Sequence, residues 1–320
     1  MRIHLKQSAV ALVVLALAIA LIACSASSTS GTAATKGPVR VGSKIDIEGP
    51  LLGQMIIAML EKNGFTVEDK TRTGATDVVR KALLSDQIDI YPEYTANGVL
   101  VFLKDQKTDP AVLKDATKTY DTVKQLDLQT NGVVWLQPAP ANNTWAVALP
   151  KAFAAANSLA SMADWAAYIN AGKAVKIVGS QEFFTSAAAM PAFEKAYGFT
   201  LAKNQIVALG TGDTAVTEKA AASGTSGANA AMAYGTDGTI AALGLVVLSD
   251  PLAAQPVYQP APTATKAIMA RYPEIATILD PVFAKLTLET LQKLNGQIAV
   301  DGKDAKTVAA EWLRSEGFLK

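Results

Sequence analysis

The spacing of apolar positions in this chain switches repeatedly between two periods, which predicts alternating strands and helices. Val39–Gly42 is a short apolar run, read as a strand, and the loop GSKIDIEG follows from Gly42 to Gly49. Pro50 suits a first helical turn. Beyond it Leu51, Leu52, Met55, Ile56, Met59 and Leu60 recur at helical spacing until Gly64. Phe65–Glu68 predicts a second strand, and Thr76 can cap a helix carrying Val78, Val79, Ala82 and Leu83. Ile88, Ile90 and Tyr91 predict a third strand, stopped by Pro92 and followed by a turn at Asn97-Gly98. Residues 110–130 read as a helix and Val133–Leu136 as a strand.

The alternation pauses at QPAPANNTWAVAL, an extended segment with two prolines and two asparagines. It resumes with a helix over 161–171, a strand Val175–Val178 and a helix Ala187–Tyr197 closed by Gly198. Next come a strand Ile206–Leu209, a helix from Asp213-Thr214 to about Ala222, and a strand Ala230–Tyr234. A helix from about Thr236 and a strand Val246–Leu248 lead into a second proline-rich segment, PLAAQPVYQPAP. From residue 263 onward the pattern is helical, with Pro273 and Pro281 as breakers. Repeated β and α elements argue for open α/β sheets. The two extended segments, at about 137–148 and 250–262, predict two lobes joined by two crossing strands with a ligand between them. The expected lobes are 38–142 together with 257–320, and 143–256.

The first residues follow a different pattern. Arg2 and Lys6 precede an apolar run from Ala9 to Ala23, and Cys24 comes next. The run is short for a membrane span, which needs ~20 residues, but it suits the h-region of a signal peptide covering 1–23. Its end, LIAC, resembles a bacterial lipobox, which implies cleavage before Cys24 and a lipid on its sulfur. Residues 24–37 hold no large apolar side chain and read as a flexible tether. The expected protein is exported and membrane-anchored, without disulfides, since Cys24 is the chain's single cysteine.

Composition then narrows the chemistry. Residues 1–23 carry two of the 29 bases and none of the 28 acids, which leaves the remainder near −1. A balanced charge gives no reason to expect a nucleic acid partner. The one histidine, His4, lies in the signal peptide. Histidine triads, thiol nucleophiles and the usual zinc sites are therefore excluded, and no cofactor is expected. What remains for an enzyme is chemistry on carboxylates, a Ser-Lys pair or a tyrosine, and Asp46, Glu93 and Asp237 are the candidate acids in ligand loops.

The stretch DIYPEYTANG, Asp89 to Gly98, is the centre of the chemical reading. Tyr91, Glu93, Tyr94 and Asn97 lie at the end of a buried strand, where α/β proteins place ligand groups. Two rings and a carboxylate suit a cationic head, because an aromatic face attracts cations. Two tyrosines on an ordinary loop, one in the core and one on the surface, would give the same string.

Six motifs in order then carry a resemblance: GSKIDIEGPLLG, TGATDVVRKALLSDQIDIYPEYTANG, QPAPANNTWAVAL, PAFEKAYGF, TGDTAVTEKAA and NAAMAYGTDG. Over about 38–318 the chain resembles the osmoprotectant-binding component of ABC importers, the glycine betaine/choline/carnitine class, and its OsmF/YehZ-like branch. The resemblance implies a type II periplasmic-binding-protein fold, no catalysis, a quaternary-ammonium solute, a permease partner and a monomer. It also implies that Tyr94, Trp145, Tyr234 and Tyr258 cage the trimethylammonium head. Lys44 would lie beside the ligand's carboxylate, and Asn97 stands where relatives commonly have threonine. Where relatives carry a carboxylate-gripping arginine, this chain has Ser186, so the ligand's anionic end lacks a clamp. A same-fold receptor for another zwitterion, such as an amino acid, is the alternative.

Weaker signals complete the reading. Lys44 and Asp46 are close enough to form an ion pair. TGDT, Thr211 to Thr214, is an N-cap or an anion site. GTSG, Gly224 to Gly227, lacks the spacing of a serine-nucleophile turn. Trp135 and Trp165 read as core, and the C-terminal helices as purely structural.

Overall fold

The computed structural model describes residues 36–210 and 212–320. The signal peptide, Cys24, the tether up to residue 35, and Thr211 lie outside the described residues. Strands β1 (Lys36–Lys44), β2 (Phe65–Gly74), β3 (Ile90–Tyr94), β4 (Val133–Trp135) and β10 (Pro260–Thr265) form one sheet, ordered β2-β1-β3-β10-β4. Strands β5 (Trp145–Pro150), β6 (Ile177–Ser180), β7 (Ile206–Leu209), β8 (Ala230–Tyr234) and β9 (Leu245–Val247) form the other, ordered β7-β6-β8-β5-β9.

The two sheets share one design. β1 runs parallel to β3, with Val41 opposite Ile90, and β10 lies antiparallel to both β3 and β4. Likewise β6 is parallel to β7 and β8, and β5 is antiparallel to β8 and β9. In each sheet the antiparallel fourth strand arrives from the other lobe. The chain leaves the first sheet after β4, enters the second at β5, leaves again after β9 and returns at β10.

Each sheet has its own core because parallel strands need helical crossovers that cover their faces. The helix Glu48–Lys62 buries Leu51, Leu52, Met55, Ile56 and Leu60 against Val39 and Val41 of β1. Leu279, Phe283 and Leu313 of the C-terminal helices close the same core. Each such side chain contributes roughly 1.5–3 kcal/mol of burial. In the second lobe Trp165, Phe183, Phe193, Ile177 and Met232 pack together. Trp135 and Trp165 are both core residues, as read from their patterns. Gly37–Lys320 makes one compact unit. Among the described residues no helix is long and apolar enough to cross a membrane.

Several local expectations are corrected. Pro92 does not stop the third strand; it lies inside β3, opposite Pro262 of β10. Thr265 N–H donates to Asp89 and Thr95 N–H to Gln259. Alternation of the antiparallel ladder then puts Pro92, Pro260 and Pro262 at positions that need no amide on that side. Asn97-Gly98 is helical, not a turn, with Gly98 at φ −53°. Its glycine serves packing, since a Cβ there would come within 2.1 Å of Val123 and 2.8 Å of Trp135. Pro281 sits inside the helix Glu274–Phe283. The carbonyl it leaves without an amide belongs to exposed Thr277, which water can satisfy. The proline-rich second crossing ends in the strand β10, and the short helices Lys151–Ala156 and Gln181–Thr185 carry too few residues to show a period.

One further contact joins the lobes. The helix Leu288–Ala299, packed on the first core, meets the loop after β8. Gln292 Nε2 donates to the Gly235 carbonyl at 2.7 Å, and Asn295 Nδ2 donates to that of Thr236 at 2.9 Å. The backbones of Gly238 and Gly296 approach so closely that a Cβ on Gly238 would lie 2.1 Å from the Gly296 nitrogen.

Candidate ligand cleft

Strands β1 and β3 of one sheet and β8 of the other end on one cleft of about 530 Å³. Tyr94 ends β3 and Tyr234 ends β8, while Trp145 opens β5 and Tyr258 lies two residues before β10. Because β5 and β10 are antiparallel to their neighbours, their first residues share an edge with the last residues of β3 and β8. Topology alone therefore brings four rings from distant parts of the chain to one crevice, the usual ligand position in open α/β sheets. All four line the cleft, as do Lys44 and Asn97.

In the second lobe, Trp145 stands directly opposite Tyr234 in the β5–β8 register. Their ring centroids are 4.7 Å apart and tilted by 35°, and Phe183 lies 5.4 Å from Trp145 as backing. Burial, then the Asp237 carboxylate, push the Tyr234 phenol well up. Asp237 also accepts the Tyr234 N–H at 2.7 Å, which fixes the turn that aims this ring. Beside Asp237 lies Glu218, which accepts the Thr239 hydroxyl. Burial raises both carboxyls, and the Asp237 charge raises Glu218 further.

The two crossings run side by side at the back of the cleft. Tyr258 N–H donates to Asn142 Oδ1 at 2.8 Å, and its carbonyl accepts the Asn143 N–H at 3.0 Å. Gly235 is needed here, because a Cβ would meet the Asn142 carbonyl at 2.2 Å.

On the first lobe Lys44 pairs with Glu93, not with Asp46. Lys44 Nζ lies 2.6 Å from Glu93 Oε1, and both groups are buried. Glu93 also accepts the Tyr94 N–H at 2.7 Å, Asn97 Nδ2 at 3.1 Å and the Tyr91 hydroxyl at 3.2 Å. Lys44 at the end of β1 faces the neighbouring strand β3, whereas Asp46 is exposed at the rim and accepts Gly49 N–H at 2.6 Å. Lys44 Nζ also sits 4.7 Å over the Tyr94 ring.

Glu48, not singled out from the sequence, forms the floor. Its carboxylate accepts Tyr94 Oη at 2.7 Å, Asn295 Nδ2 at 2.7 Å and Asn143 Nδ2 at 3.4 Å. Burial pushes its carboxyl up to about 7, against the opposing pull of these donors. Asn295 belongs to the helix Leu288–Ala299, so the C-terminal helices are not purely structural: one of them reaches the cleft. Ser186 does not line the cleft. It ends the helix Gln181–Thr185, its N–H donating to the Glu182 carbonyl at 2.8 Å. Among the described residues no cluster of His, Cys, Asp and Glu could hold a metal ion.

Residues 37–315 match the family model described as the substrate binding domain of the ABC-type glycine betaine transport system. The glycine betaine-binding protein YehZ of Escherichia coli K12 is 52% identical over 283 residues, covering 88% of this chain and 92% of that protein. A glycine-betaine-binding protein of Pseudomonas aeruginosa is 31% identical over 307 residues, 93% of this chain and 94% of its own. The structure of apo YehZ from E. coli superposes with a TM-score of 0.81 over 88% of this chain and all of that one. A glycine betaine/carnitine/choline ABC transporter structure, 21% identical, shares the fold with a TM-score of 0.77, covering 88% of this chain and 99% of its own. The chain therefore belongs to the extracytoplasmic substrate-binding family of ABC-type glycine betaine transport, a transport family with the type II periplasmic-binding-protein fold.

Proposed function

We propose that the cleft takes a quaternary-ammonium compatible solute of the glycine betaine type, its head held among Tyr94, Trp145, Tyr234 and Tyr258. One observation carries this reading: four rings from both sheets line a single cleft. A quaternary ammonium has no N–H, so ring faces, each worth about 0.5–2 kcal/mol, are the groups that select it. Rings from both lobes favour a closed cleft, which gives the ligand its differential affinity for that state. The lobes we assign are 38–142 with 257–320, and 143–256, because each sheet then falls within one lobe. The protein delivers its solute to a membrane permease as a monomer and catalyses nothing. Of the three acids that an enzyme reading would use, Glu93 is committed to Lys44 in a buried pair. Cys24 anchors the chain through lipid, and Cys24→Ala should abolish detergent partitioning after export. A thermal-shift panel of betaine, choline, carnitine, ectoine and free amino acids tests the ligand class. Stabilisation confined to the quaternary ammonium compounds supports it, and stabilisation by amino acids alone overturns it.

A further inference from the structure

We infer that a second groove, beside the return crossing, is a binding site for a small amphipathic anion, an apolar tail ending in a carboxylate. This groove shares no lining residue with the solute cleft and has a volume of about 490 Å³, in the range of small-molecule sites. Its walls come from both sides of the crossing. Leu113 and Lys114 belong to the short helix Pro110–Lys114, and Ala192 and Lys195 to the helix Met190–Tyr197. Ala254 and Pro256 of the crossing lie between them. The crossing is hydrogen-bonded to each wall. Val257 N–H donates to the Leu113 carbonyl at 2.8 Å, and Gln255 Nε2 donates to that of Ala189 at 3.2 Å.

The lining is the reverse of the cleft's. It is mostly alanine and proline, with no ring and no acid, and its charges are the two lysines. Such short side chains lose almost no rotamer freedom when covered, so the groove is preformed. Both lysines are exposed, and among the described residues no ion pair holds either one. The acids next to them in sequence are turned elsewhere. Asp115 accepts the Lys118 N–H at 2.9 Å, and Glu194 accepts the Leu201 N–H at 2.8 Å. An apolar tail would cover the alanines and prolines while its anionic head meets the two ammonium groups. A cation would meet the wrong charge and no ring. Because the two walls belong to different lobes, the occupant is linked to the cleft: each ligand changes the other's affinity by the same factor.

Decanoate, octanoate and octanamide separate the contributions of tail and charge. Calorimetry on the whole protein should show one decanoate bound, and octanoate, two CH2 groups shorter, on the order of tenfold weaker. Octanamide, with the octanoate tail and no charge, should bind several-fold weaker again. Lys114→Gln combined with Lys195→Gln should weaken decanoate by on the order of tenfold. Ala192→Phe, which fills the groove, should abolish its binding. Absence of decanoate binding overturns the inference, as does decanoate affinity unchanged in both variants or octanamide binding as tightly as octanoate. Capture by anionic phospholipid vesicles that needs the two lysines, without decanoate binding, would assign them to a membrane surface and also overturn it. With decanoate saturating, the solute that binds the cleft should shift in affinity by at least about twofold, and no shift would contradict the linkage. The groove does not rest on the aromatic cage. If no solute of the thermal-shift panel binds, the proposed function falls, while decanoate still decides this inference.

Discussion

The Tyr94 hydroxyl donates to Glu48 Oε1 at 2.7 Å, joining a ring at the end of β3 to an acid at the start of the helix Glu48–Lys62. Through Asn295, whose amide donates to both Glu48 and Thr236, the same acid touches the contact between the lobes. Glu48 thus links a ring of the cleft to the docking of the second lobe.

Its titration gives a pH prediction. Burial raises the Glu48 carboxyl from 4.5 to about 7, so in that window the folded state binds more protons than the unfolded chain. The stability this group contributes is full below about 4.5 and is lost as pH rises through about 7. Denaturant unfolding of the wild type should show stability falling between pH 5 and pH 8. In Glu48→Gln the fall should be smaller by on the order of 3 kcal/mol. Identical slopes would mean that Glu48 titrates normally.

Gly238→Ala tests the contact between the lobes. The new Cβ would lie 2.1 Å from the Gly296 nitrogen, and backbone cannot yield as a flexible side chain would. The loop and the helix Leu288–Ala299 must separate, costing about 1–3 kcal/mol. X-ray scattering should report a more open molecule and calorimetry a weaker betaine affinity. An unchanged radius of gyration with unchanged affinity would show that this contact does not govern closure.

Ser186→Arg should leave betaine affinity unchanged. Relatives with an arginine there led us to expect the ligand's carboxylate nearby, but Ser186 closes a short helix outside the cleft lining. A tighter complex in the arginine variant would mean that closure brings position 186 to the ligand.

Much of this was legible in the sequence because periodicity and punctuation are local. The helix at 48–62, the strands at β1, β3 and β8, and both crossings follow from apolar spacing and proline clusters. Tyr94, Trp145, Tyr234 and Tyr258 were named by the family resemblance, and all four line the one cleft. Glu48 stood in a quoted motif, yet an acid at a helix start reads simply as favoured by the helix dipole. Its partner Asn295 is 247 residues away, and no local pattern announces a contact of that range. Lys44 and Asp46 are near enough in sequence to suggest an ion pair, while the parallel pairing of β1 with β3 delivers Lys44 to Glu93. Pro92 and Pro281 misled because a proline's cost depends on which amide the ladder or helix needs, a property of the neighbours.

The central claim is that rings from both lobes hold the ligand's cationic head. Titration calorimetry with glycine betaine on Tyr94→Ala, Tyr234→Ala and Asn97→Ala tests it most directly. Each ring variant should lose at least ~1–2 kcal/mol of binding, and Asn97→Ala, which removes one hydrogen bond to Glu93, should lose less. Equal small losses in all three variants, with the fold intact, would contradict the account.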